Sequence, residues 1–462
     1  MKVLLKNGYL VDPSASAVPE LPVSVLLEDG RIAAVGAGLD AGDAEVYDCT
    51  GLYIMPGVID AHTHIGYGSE RDLETETKNA VSGGVTSLIT YHRKAENYLE
   101  TVPAFIDKIN REAFCNVGIH LGLSTYEQTD QLATYVNEFK IPSFKYFTNY
   151  IGAAGVKAGV EIVSDANLIE WMTRIARLGG TLCIHAENQD VIEKRTAIVK
   201  AKGEDNLQGW YEARPPICEA EAILRCAYFA AKTGCRFYAV HVTCAESLEV
   251  LRMMKRQYPD AQIIVETCPH YLLLDDSRYS LPDFAGARYV CAPPLRKKLD
   301  NERLWKALAD GEIQTVSTDH CSFTLAQKDA GRGDFTKIPG GMPGVETRGT
   351  LLFTYGVAAG RITAERMADV LAETPAKLYG LFPRKGVLQP GADADIVVYD
   401  PRGTSCITAA DQAANVDYAP YEGTQIAGHI AEVYLRGTCV VREGKILHDR
   451  NGQYLHRGKC ML

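Results

Sequence analysis

The run Val58-Ile59-Asp60-Ala61 leads straight into His62-Thr63-His64. Side chains along a strand alternate between faces, so a strand ending here presents both imidazoles on one side, the way a metal is gripped. Alone, the pair also reads as two surface histidines at a strand end. The rest of the chain supplies His185 after Thr181-Leu182-Cys183-Ile184, His241 after Tyr238-Ala239-Val240, and Asp319 with His320 after Val316-Ser317-Thr318. A lone histidine in an apolar strand is ordinarily a satisfied core residue. Histidines and an aspartate recurring at the same end of separate strands converge on one mouth, and this nitrogen and oxygen set suits zinc or a similar first-row metal. With His62 and His64 included, the ligands exceed what a single open site needs, so two metals are expected. Two metals call for a bridge. Lys145 sits between Phe144 and Tyr146-Phe147; its bland reading is a side chain snorkelling at a strand end. Burial drives the proton off an amine, and the sharper expectation is a neutral amine that has reacted with CO2. The resulting carbamate is an anion with an oxygen for each metal.

These residues need a scaffold that gathers strand ends. Short apolar runs at 56–62, 86–91, 116–123, 142–147, 181–186, 236–242, 262–267 and 314–319 alternate with segments of helical period such as ANLIEWMTRIARLGG and EAEAILRCAYFAAKTG. Such a series predicts an α/β fold, a (β/α)8 barrel with its active site at the C-terminal ends of the strands. The first residues ("KNG", "EDGRI", "DCTG") and the stretch from Gly386 onward ("GVLQPGADADIVVYDP", "HIAEVYLRGTCVVREGKIL") instead have the pattern of short strands and turns. They are expected to combine into one small β-sandwich, dividing the chain at 1–55, 56–380 and 381–462. No internal repeat or low-complexity tract interrupts this pattern.

Composition narrows the partner. With 462 residues, a formal net charge of -10 and no block of Lys and Arg, the chain does not read as a nucleic-acid binder. Its 13 cysteines include no CxxC pair, and Cys183, Cys235 and Cys268 lie in apolar runs, as for reduced thiols in the cytoplasm. The N-terminal apolar run is too short for a signal peptide, and no stretch reaches bilayer length. A cytoplasmic protein with a small-molecule partner and no membrane attachment is expected.

The set His62-Thr63-His64, Lys145, His185, His241 and Asp319 resembles the amidohydrolase superfamily, in its hydantoinase and dihydropyrimidinase branch. The strings "SFKYFTNY", "HAEN", "ARPP", "ETCPHYLLLD", "APPLR", "TDHCSF" and "GMPGVETR" carry the resemblance along essentially the whole chain, in the family's order. It implies two zinc ions bridged by N-carboxylated Lys145, with His62, His64 and Asp319 at one and His185 and His241 at the other. The implied substrate is a cyclic ureide, opened at its ring amide or imide C–N bond to an N-carbamoyl amino acid. By the same resemblance Asp319 is the general acid and base, and Tyr150 donates its hydroxyl to the developing oxyanion; the bland reading of Tyr150 is an aromatic packed at the mouth. Ala292 and Gly340 fall where the family holds the ring's amide edge, largely through backbone atoms. Ser and Asn are common at those two places, so any side-chain contribution is lost here. His320 and His270 read as structural. A homotetramer is implied as well.

Specificity is expected to differ from aromatic hydantoinases. The loop "IGYGSERD" looks shorter than in members that accept bulky apolar substituents, with Tyr67 as its large apolar side chain. In "YHRKAEN", His92 and Arg93 fall near the mouth where the family more often has apolar or amide residues. Arg93 is expected to contact a polar or anionic substituent, its planar fork suiting a carboxylate; the bland reading is a solvated surface arginine. Dihydroorotases usually carry an arginine where this chain has Gly66. Allantoinases share the metal cage, though Tyr150 argues against them. The collapsin response mediator proteins are non-catalytic assembly proteins that have lost metal ligands, whereas this chain keeps every one.

Overall fold

Strands buried on both faces of a closed parallel barrel run apolar without alternation. In the computed structural model, which describes residues 2–13, 22–66, 69–149 and 164–462, that is the character of β1 (Val58–His64), β2 (Val85–His92), β3 (Asn116–Gly122) and β4 (Ser143–Phe147). The series continues through β5 (Thr181–His185), β6 (Arg236–Ala239), β7 (Ile263–Thr267) and β8 (Thr315–Val316). Each strand pairs in parallel with the next. The ring closes through a break rather than a continuous eighth strand. Past β8 the chain leaves the ladder, and His320–Cys321 forms a separate short strand parallel to β1 at Thr63 and His64.

Strands β6 and β8 end earlier than the apolar pattern predicts, for one reason. His241 (φ 43°) and Asp319 (φ 49°) occupy the left-handed region, which breaks a strand and is costly for a residue with a Cβ. The break at Asp319 is held by Asp60, a carboxylate buried inside β1. Thr318 Oγ1 donates to Asp60 Oδ2 at 2.6 Å and the backbone N–H groups of Thr318 and His62 donate to Oδ1 at 3.3 and 3.2 Å. Arg348 Nη1, 3.5 Å from Asp60 Oδ1, donates to the carbonyl of Val316 at 2.8 Å.

The helices follow their sequence signals. Asp165–Arg177 starts where the Ser164 side chain accepts from the backbone N–H of Asn167, and it buries Leu168, Trp171, Met172 and Ile175, a single face at helical spacing. Pro216–Thr233 opens on a proline and stops at Gly234, whose φ of 71° a glycine adopts without strain. Removing the Trp171 side chain from this packing would cost roughly 3–5 kcal/mol.

The sequence pattern predicts that the two chain ends combine into a small β-sandwich; they do combine, with their strands hydrogen-bonded in one path. Lys2–Leu10, Val23–Glu28, Arg31–Gly36 and Tyr53–Pro56 continue into Ile396–Cys406, Gln425–Leu435 and Thr438–Arg442, with Ile396 opposite Pro56 and Tyr399 opposite Tyr53. Val25, Leu27 and Ile54 from one end bury against Ile396 and Val398 from the other. Asp395 fastens this sheet to the barrel: its carboxylate pairs with Lys385 and accepts from Arg436 N at 2.8 Å and from Asn116 Nδ2, at the start of β3, at 3.4 Å. Among the described residues no helix is long and apolar enough to cross a membrane. Asp395→Ala leaves a buried lysine short of a partner and is expected to lower unfolding stability by about 3 kcal/mol. A urea midpoint equal to that of the parent chain would contradict this account of the join.

Candidate metal centre

The ends of the barrel strands bring the sequence-predicted residues to one mouth. Asp319 Oδ1 lies 3.0 Å from His62 Nε2 and 3.0 Å from His64 Nε2. These side chains form a cluster in which one ligand atom from each lies within 4.8 Å of the others. Opposite them, His185 Nδ1 stands 2.9 Å from His241 Nε2, and the rings of His62 and His241 are 5.6 Å apart. Lys145, 1 % exposed, enters from β4 with its Nζ 4.5 Å from the Tyr91 ring centre and 5.0 Å from that of Phe147.

Carboxylates behind the rings choose their tautomers. Glu266 Oε1 is 2.6 Å from His62 Nδ1 and also accepts from the backbone N–H of His241 at 2.9 Å, while Tyr238 donates to its other oxygen at 2.6 Å. Glu187 Oε2 lies 2.7 Å from His185 Nε2 and accepts from Arg214 at 2.8 Å. With one ring nitrogen given to a carboxylate, His62 Nε2 and His185 Nδ1 are the nitrogens that face the mouth.

The electrostatics agree with this arrangement. Burial pushes His64 down to about 4 and lowers His185 and His241 as well, so these rings are neutral near pH 7. Burial also disfavours charge on His62, but Glu266 and Asp319 outweigh it and push the ring up to about 9. A proton there occupies the place a cation would take, since metal binding displaces protons from its ligands. Burial would raise Asp319 and Glu187; His62 and His64 hold Asp319 well below the carboxylate range, and Arg214 and His185 hold Glu187 at about 2. Burial pushes the Lys145 ammonium down, against the pull of Asp319. His62 Nε2 is buried and makes no hydrogen bond of proper geometry although Asp319 Oδ1 is close. An orphaned nitrogen, neutral imidazoles and an ionised carboxylate fit a divalent metal centre.

A cavity of about 330 Å³ opens over the cluster, with His64, Lys145, His185, His241 and Asp319 on its floor. Arg93, Ala292 and Gly340 line it too. The Arg93 guanidinium stacks 5.0 Å from the Phe147 ring centre, whereas His92 points away and stacks on Phe105 at 4.8 Å. Tyr150 and Tyr67 lie outside the described residues. His320 donates or accepts on both nitrogens, with Glu76 Oε2 at 2.8 Å and the backbone N–H of Gly344 at 3.1 Å, which is a structural role. His270 is buried against Tyr271, ring centres 4.1 Å apart.

Sequence reasoning gave no role to Glu266, Glu187, Arg214 or Asp60. A signal existed for two of them: Glu187 follows His185 by two residues, and Glu266 occupies the end of β7, a strand to which no ligand was assigned. Arg214 and Asp60 act across elements far apart in sequence, and nothing local marks them.

A sequence model described as the amidohydrolase family matches residues 53–440. The chain is 38% identical to a D-hydantoinase of Geobacillus stearothermophilus, the match covering 99% of this chain and 97% of that protein. It is 33% identical to a D-phenylhydantoinase of Escherichia coli O9:H4 (strain HS), over 99% of this chain and 98% of that one. Among solved structures it is similar to the dihydropyrimidinase from Brevibacillus agri NCHU1002, with a TM-score of 0.93 and 36% identity over 100% of this chain and 99% of the other.

Glu266→Gln keeps the shape behind His62 and removes the charge. Affinity for a divalent metal is expected to fall about 10- to 100-fold, read by chelator competition on protein with unchanged near-ultraviolet circular dichroism. Unaltered affinity would show that Glu266 only fills space.

Proposed function

The chain belongs to the amidohydrolase family, and from that premise we propose that it hydrolyses the ring amide or imide C–N bond of hydantoins or dihydropyrimidines to N-carbamoyl amino acids. The observation that carries this reading is the convergence of His62, His64, Lys145, His185, His241 and Asp319 beneath one cavity, in a chain similar along its length to hydantoinases.

We assign the resident cofactor as two zinc ions, with His62, His64 and Asp319 holding one and His185 and His241 the other. Lys145 would serve both once its neutral Nζ had formed an N–C bond to CO2 and lost a proton, since the resulting carbamate is an anion with two oxygens to offer. When bound, such a pair brings the pKa of water toward neutrality and polarises a carbonyl. The chain's own groups do the rest. Asp319 accepts the proton of the attacking water and delivers it to the ring nitrogen as the C–N bond breaks. Glu266 and Glu187 keep His62 and His185 in register through the reaction. Tyr150 donates its hydroxyl to the oxyanion. Ala292 and Gly340 present backbone groups to the amide edge of the ring, and Phe147, Trp210 and Phe323 wall the cavity against water.

Arg93, Asn149, Gln189 and Arg214 make much of that wall polar. This supports a polar or anionic ring substituent met by Arg93, and as a second reading an allantoin-like ureide. The complete ligand set argues against a non-catalytic assembly role. We further propose a cytoplasmic homotetramer without nucleic-acid or membrane partners, built from units 1–55 with 381–462 around 56–380. Ile169, Ile217, Tyr228 and Met253, exposed on neighbouring helices, supply apolar surface for subunit contact.

Chelation is expected to abolish ring opening, with activity restored by Zn²⁺ together with bicarbonate and far less by Zn²⁺ in CO2-free buffer; activity of the stripped protein would overturn the reading. Arg93→Ala is expected to lower kcat/KM for an anionic 5-carboxyalkyl hydantoin about 10-fold, one charge-assisted contact, while sparing a neutral 5-aryl hydantoin. An equal effect on both rings would return Arg93 to the surface.

A further inference from the structure

Lys328 lies in the short helix Leu325–Asp329, is 0 % exposed, and has no place in the chemistry above. An ammonium carries three protons, and here each meets a different backbone carbonyl. Nζ donates to Val290 O at 2.8 Å, to Pro339 O at 2.6 Å and to Gly341 O at 2.6 Å. Val290 stands two residues before Ala292, and Pro339 and Gly341 flank Gly340. The two segments touch where they line the cavity: a Cβ placed on Gly340 would come within 3.2 Å of the Ala292 Cβ.

The 290–293 segment has anchors of its own, since Trp210 Nε1 donates to Cys291 O at 2.9 Å and Tyr271 OH to Pro293 O at 2.7 Å. The 339–341 segment meets it through one backbone bond, Gly341 N to Val290 O at 3.0 Å, and through the lysine. Burial outweighs the opposing pull of the Cys291 and Cys321 sulfurs and pushes the Lys328 amine down to about 7. Three carbonyl dipoles pull the other way, because only the ammonium satisfies all of them. A buried charge held by dipoles is an expensive device, and a methionine of similar length would fill the same space without desolvation cost. What the methionine could not do is fix the spacing of two loops.

We propose that Lys328 is a positioning residue that clamps the two backbone segments presenting Ala292 and Gly340, so that they meet the amide edge of the ring at a fixed separation. This rests on the reading of those two positions as ring-holding. Backbone donors and acceptors recognise a planar amide only when held rigidly, and a displacement on the order of 1 Å can cost about 100-fold.

The test begins with the zinc-loaded parent protein on a neutral 5-aryl hydantoin. If neither this ring nor dihydrouracil nor an anionic 5-carboxyalkyl hydantoin opens, the functional reading fails. The clamp is then still judged by hydrogen exchange, which should quicken at 290–293 and 338–342 in Lys328→Met and nowhere else in the barrel. If one of these rings opens, Lys328→Met should raise KM about 10-fold, more than kcat falls, with metal content equal to the parent's. Lys328→Ala should regain a low KM with added propylammonium and not with propanol, a rescue that also serves if the methionine variant does not fold. An unchanged KM in folded Lys328→Met, loss of metal, or equal effects of propylammonium and propanol would overturn the proposal.

Discussion

The candidate site depends on how the barrel is closed. A ring of parallel strands gains its stability from an unbroken ladder, yet Asp319 must leave that ladder for its carboxylate to stand over β1 beside His62 and His64. The structure accepts a gap between Val316 and His320 and spans it with side-chain bonds, above all Thr318 to Asp60. Asp60 is buried among groups that donate to it, so its charge is compensated where it cannot be hydrated. The strained backbone at Asp319 persists because the surroundings over-determine it.

The same logic extends outward from the mouth. Crowded imidazoles would repel one another if protonated, and burial keeps His64, His185 and His241 neutral. His62 alone is flanked by two carboxylates and so favours a positive charge in its place. Glu266 links that ring to the backbone of His241, tying the two halves of the centre through a single carboxylate. Arg214 does the corresponding work for Glu187 and His185, and its guanidinium lies 4.3 Å from the ring centre of Trp210 on the cavity wall. Charge at the floor and shape at the wall are therefore coupled through the same residues.

Much of this was legible in the sequence. Apolar runs gave the barrel strands because a strand buried on both faces has no alternation to obscure, and helices showed through the helical period of segments such as 166–180 and 219–234. The histidines and Asp319 could be assigned to strand ends because the barrel puts all such ends on one side. That the two termini combine followed from matching strand and turn patterns at both ends; that their strands hydrogen-bond in one path did not. Less visible were the true ends of β6 and β8, since a left-handed histidine or aspartate has no composition signal.

What the sequence by itself determined was the scaffold and the kinds of atoms gathered at its mouth, for these depend on local periodicity and residue type. Only the tertiary structure decided which nitrogen of His62 and of His185 faces the mouth, because that is set by Glu266 and Glu187 approaching from other strands and loops. It also decided that Arg93, just past the end of β2, lines the cavity while His92 stacks on Phe105. The three carbonyls around Lys328 belong to segments up to 38 residues away. A contact of that kind exists only once the chain has folded back upon itself.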